Sequence, residues 1–151
     1  MQSNSAIIKS MIEEHQAIRA HLELLRRSLE GGFYSIPKKP CTLADSLKNI
    51  QLAMSYLEDG IKNHYTHEEM VMPPLLGEPL MHAIAAEHKE VQHRLDRAKA
   101  LVADASLKLM SQEEFITKAS EIKRVIDDIC ELIETHSLKE DTMLELLKRA
   151  V

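Results

Sequence analysis

Two stretches of the chain carry the residues best suited to chemistry. One is HYTHEEMVMPP, His64–Pro74; the other is HSLKEDTMLE, which begins at His136. Each opens with His-x-x-x-Glu, giving the pairs His64/Glu68 and His136/Glu140. Residues four apart lie one above the other on the same helix face, so each pair presents an imidazole and a carboxylate to one space. Imidazole nitrogen and carboxylate oxygen are donors for divalent metal ions. Two more histidines, His15 in EEHQAI and His88 in AAEHKEV, sit among apolar residues at helical spacing.

The elements that must position these groups follow from the punctuation. A first helix is expected from about Ser5 to Glu30, ending at Gly31-Gly32, with FYSIPKKP as a loop. Thr42 with Asp45 forms a capping-box pattern for a second helix, which must stop before Pro73-Pro74. A third opens near Glu78-Pro79, where proline suits the first turn. Ser111 followed by Gln112, Glu113 and Glu114 caps a fourth that runs nearly to the end of the chain. The 151 residues suffice for one domain with a real core. Only 3% are aromatic and four are glycine, while Leu, Ile, Met and Ala abound, which favours helix on helix. The expected fold is all-α, an antiparallel up-down-up-down four-helix bundle spanning residues 1–151.

Steps of three and four trace an inward stripe on every helix. The first is Ile8, Met11, His15, Ile18, Leu22, Leu25, Leu29, and the second is Leu43, Leu47, Ile50, Met54, Leu57, Ile61, His64, Glu68, Val71. The third is Met81, Ile84, His88, Val91, Leu95, Ala98, Val102. The fourth is Phe115, Ala119, Ile122, Ile126, Ile129, Ile133, His136, Glu140, Met143, Leu147. Four histidines and two glutamates are the polar interruptions. EHQAIRAHL at Glu14 also matches EHKEVQHRL at Glu87, and HYTHEEMVM matches HSLKEDTML, so a helical hairpin occurs twice. At a rise of ~1.5 Å per residue, His15 and His88 lie roughly 15 Å and His64 roughly 12 Å from one end of an antiparallel bundle. The repeat sets His136 opposite His64, which puts all six residues in one layer.

Burying two glutamates and four imidazoles in hydrocarbon without compensation would cost many kcal/mol. A pair of divalent cations removes that cost: each histidine binds one ion while the glutamate a turn away reaches the other. The chain as a whole resembles the hemerythrin-like, HHE-type cation-binding family. The resemblance rests on the EEHQAI histidine, the HxxxE before a proline, the AAEHKEV histidine and the final histidine-acid pair. It implies two iron ions bridged by two carboxylates and an oxo or hydroxo group. The metal ligands are then His15, His64, Glu68, His88, His136 and Glu140; manganese or zinc also suits this donor set.

Two positions depart from the oxygen carriers of that family. Those proteins place an aspartate five residues after the last histidine, which would favour Asp141, whereas the inward stripe and the repeat select Glu140 and leave Asp141 as a supporting acid like Glu69. They also carry a second histidine where this chain has Ile84. Each ion would then have about four protein donors and about two open positions for water or a small ligand. This pattern is closer to the family members associated with iron-centre repair and nitric-oxide stress. His67, one turn from His64, is a secondary candidate as ligand or supporting group. His21, His82 and His93 read as surface residues, as do Glu14 and Glu87, while Tyr56 and Tyr65 fall near the site. A single Glu90/His93 pair does not make a ferritin-type centre, which needs two such motifs.

The expected function is a di-iron protein whose open positions take O₂, NO or peroxide in detoxification, sensing, stress response or iron supply and repair. The alternative is a metal-responsive interaction module without redox turnover. A net charge of −5 with interspersed signs argues against nucleic-acid partners and an anionic membrane surface. Without a signal-type segment or a long apolar run, the expected setting is cytoplasmic, with Cys41 and Cys130 as reduced thiols and the chain a monomer or homodimer.

Overall fold

Pro73-Pro74 and Pro79 stand at helix boundaries as expected, while the expected FYSIPKKP loop lies outside the described residues. The computed structural model describes residues 3–32 and 44–150. Four long helices, α1 (Asn4–Gly32), α2 (Ala44–Val71), α4 (Glu78–Ser106) and α5 (Gln112–Ala150), are joined in chain order, with a single-turn helix α3 (Pro73–Leu76) between α2 and α4. No strand occurs among the described residues. Helix α1 continues through both glycines. Leu43, Cys41 and the Thr42–Asp45 cap fall outside the residues whose side chains are described.

Local chemistry accounts for the turns. Pro73 and Pro74 end α2 and occupy the first positions of α3, where a missing N–H costs nothing. This extra helix was not part of the sequence expectation. It is one turn long because Gly77, at φ +85°, takes a conformation most side chains avoid and redirects the chain into α4. Ser111 caps α5: its Oγ accepts the backbone N–H of Glu114 at 3.2 Å, and its hydroxyl donates to the Glu114 carboxylate at 3.0 Å.

Helix α1 packs on α2 and α5, and α4 packs on the same two, giving the antiparallel four-helix bundle. Apart from Val71, Ala119, Met143 and Leu147, the apolar stripe residues whose side chains are described are buried. Near the site the inward face passes from Val71 to Met72 and from Met143 to Leu144, continuing the steps of four through Glu68 and Glu140. Each fully buried Leu or Ile contributes roughly 1.5–3 kcal/mol. The core falls into two apolar clusters. The larger runs from Ile18, Leu57 and Ile61 through Val91 and Ile133, and the smaller holds Ile8, Met11, Met72, Met81, Ile84 and Leu144. Along α1 the buried polar residue between them is His15. No described helix is long and apolar enough to cross a membrane.

Candidate metal centre

Each long helix contributes to the polar layer between the two clusters. α1 brings His15, α2 brings His64 and Glu68, α4 brings His88, and α5 brings His136 and Glu140; all six are buried. The placement of His136, which helix counting left least certain, is supplied by the twofold repeat. His64 Nε2 lies 2.8 Å from Glu68 Oε2, and His136 Nε2 lies 3.1 Å from Glu140 Oε1, each across one helical turn. Cross-helix distances close the ring. His15 Nε2 is 3.1 Å from Glu140 Oε1, and His88 Nε2 is 3.4 Å from Glu68 Oε1.

Two overlapping groups result: His15, His64, Glu68 and Glu140, and Glu68, His88, His136 and Glu140. Within each, one donor atom from every residue lies within 4.8 Å of the others. The two glutamates are common to both. Each group thus draws its histidines from one hairpin, α1–α2 or α4–α5.

The outward nitrogens of the same four imidazoles are all engaged by acids. His15 Nδ1 meets Asp141 at 2.5 Å, His64 Nδ1 meets Glu14 at 2.9 Å, and His88 Nδ1 meets Glu69 at 3.2 Å. His136 Nδ1 is hydrogen-bonded to Glu87. An ionised carboxylate only accepts, so Nδ1 carries the hydrogen, and in a neutral imidazole Nε2 is then a bare lone pair aimed inward. All four Nε2 atoms, both Glu68 oxygens and Glu140 Oε1 are buried with no aligned hydrogen-bond partner. Buried polar atoms are seldom left so. The residues therefore fit a pair of cations, which would satisfy these atoms together.

Glu14 and Glu87 are a correction to the sequence reading. They are supporting acids of the site rather than surface acids. Successive helix residues point about 100° apart, so neither can serve the histidine beside it, but each reaches the histidine of the partner helix in its own hairpin. The repeat held the signal, since both glutamates precede a matched histidine. Asp141 turns outward to His15 and Arg19, while Glu140 faces inward. His67 stands outside both groups, half exposed, with Nδ1 on the second oxygen of Glu14 at 2.7 Å. At the matching position of the second half, Lys139 meets Glu87 at 3.4 Å. Tyr65 is buried and stacked on His88, with ring centroids 3.7 Å apart, and its hydroxyl has no partner; Tyr56 is exposed.

The electrostatics follow from this crowding. Burial opposes ionisation of Glu68, but the imidazoles of His15, His64 and His88 crowded around it outweigh that and hold the carboxyl far below its usual range. Burial likewise disfavours a charged His15, yet Glu140, Glu68 and Asp141 together raise it to about 10. The same carboxylates that hold a proton there would hold a cation in its place. Burial raises the Tyr65 hydroxyl, and Glu140 and Glu68 add to the effect, so it is a neutral O–H donor.

A helical bundle enclosing twinned histidine-carboxylate donor groups is a cation-binding bundle. Residues 6–144 match the hemerythrin HHE cation binding domain, and the chain belongs to that family. No curated protein and no solved structure matches it significantly.

Proposed function

We propose that the centre binds two iron ions and handles a small diatomic molecule or peroxide. His15 and His64 serve one ion, His88 and His136 the other, and Glu68 and Glu140 serve both. The observation that carries this reading is the sharing of Glu68 and Glu140 between two buried donor groups whose Nε2 atoms have no protein partner. Iron bound there would supply two adjacent redox-active Lewis-acid positions.

The chain's own residues set the conditions. Asp141, Glu14, Glu69 and Glu87 fix the rings and make each imidazole a better donor. Four protein donors per ion are fewer than six-coordinate iron takes, which leaves room for an exogenous ligand. Met11, Met72, Met81, Ile84 and Leu144 cover the layer on one side and keep bulk water from it. Ile84 matters here, because an apolar side chain stands where a further imidazole would fill an open position. Tyr65, stacked on His88 with a buried hydroxyl that has no partner, is the donor this reading assigns to a bound anion.

Metal analysis of protein produced with ample iron, followed by optical titration with azide, NO and H₂O₂, tests the reading. About two irons per chain and a ligand-dependent charge-transfer spectrum are expected. Two ions without any optical response would leave a metal-binding bundle and remove the small-molecule function.

A further inference from the structure

Two cavities lie at the candidate centre and share lining side chains. A small chamber sits directly against both shared carboxylates, lined by Met11, Glu68, Met72, Leu76, Glu140, Met143 and Leu144. Only about 10 Å³ of it is open to the centre of a water-sized sphere, which is room for one very small molecule. Outside it, between α4 and α5, lies a groove of about 420 Å³ with apolar walls of Leu80, Ala83, Ile84 and Met143. Lys139 and Glu87 stand at its edge. Glu140 and Met143 line both spaces. Glu140 is held between His15 and His136, whereas Met143 is only partly buried against the smaller apolar cluster and has no polar tie.

We infer that Met143 is the gate through which a small ligand passes from the α4–α5 groove to the chamber over Glu68 and Glu140. This rests on the function proposed above and adds the route and its size limit. Methionine suits the role: it is unbranched, has three rotatable side-chain bonds, and is half-buried here. The pseudo-twofold repeat supplies the contrast. The matching position in the first half is Val71, whose β-branched side chain is stiff at χ1, so the two faces of the site are not equivalent. With Met143 in place the chamber has room for about one water-sized molecule, so a diatomic molecule or azide must displace that side chain to enter.

Azide binding to the iron-loaded, oxidised full chain, followed by stopped-flow absorbance, tests the gate. Met143→Ala is expected to raise both the association and dissociation rate constants about tenfold, as removal of a kinetic barrier does, with iron content and equilibrium affinity unchanged within about twofold. Met143→Ile, stiff like Val71, is expected to slow both. Val71→Ala should leave both rates as they are. Unmoved rates in both Met143 variants, or an equal response in Val71→Ala, would overturn the gate alone. A wild-type chain that takes up no iron, or holds iron but shows no azide band, would overturn the proposed function and the gate with it.

Discussion

Glu14 on α1 gives one carboxylate oxygen to His64 Nδ1 at 2.9 Å and the other to His67 Nδ1 at 2.7 Å, both on α2. Burial would raise its carboxyl, but the two imidazoles outweigh that and hold it below the usual range. Replacing such an acid removes the orientation of a ligand rather than the ligand itself. Glu14→Ala is expected to weaken metal binding about 10- to 100-fold in a chelator competition, with helix content retained. Glu13→Ala, on an exposed neighbour, should leave the affinity as it was.

Glu140 and Asp141 differ by one residue and by direction. Glu140 faces His15 and His136, whereas Asp141 faces His15 Nδ1 and Arg19. In metal analysis, Glu140→Ala is expected to lose at least about half of the bound iron, because both ions share that carboxylate. Asp141→Asn should keep the full complement while binding about tenfold more weakly. The reverse order would make Asp141 the bridging residue.

Removing the metal should cost stability. Without cations, seven buried donor atoms of the six site residues lack aligned partners. At a free metal concentration 100 times the dissociation constant, binding to the native state alone stabilises by about 2.7 kcal/mol per site. Chelation is therefore expected to lower the melting temperature by several degrees and restored iron to recover it. An unchanged melting temperature would count against cations holding the two hairpins together.

Cys130 gives a pH-dependent prediction independent of the centre. It is free and fully buried, and burial raises its thiol from 9.0 to about 11. Folding thus favours the protonated thiol. The stabilisation is complete below pH 9 and is lost as pH rises through about 11, amounting to roughly 2–3 kcal/mol. In alkaline denaturation, Cys130→Ala should lack that loss between pH 9 and 11. At pH 8 Cys130 should resist thiol reagents until the bundle is unfolded, since the thiolate is the reactive form.

The local and periodic parts of the protein were legible in its residues alone. Helical spacing aligned His64 with Glu68 and His136 with Glu140, and apolar stripes with six polar interruptions identified the inward-facing residues. The repeat then put His136 in the layer that helix counting alone could not secure. Which acid supports which imidazole emerged from the packing of the helices. That depends on the rotation and axial register of neighbouring helices, so Glu14 reaches His64 rather than the adjacent His15, and Glu87 reaches His136 rather than His88. The one-turn helix after Pro73 and the shift of burial to Met72 and Leu144 are likewise set by packing. The place of Met143 between groove and chamber is of the same kind, because a cavity is bounded by residues that sequence holds far apart.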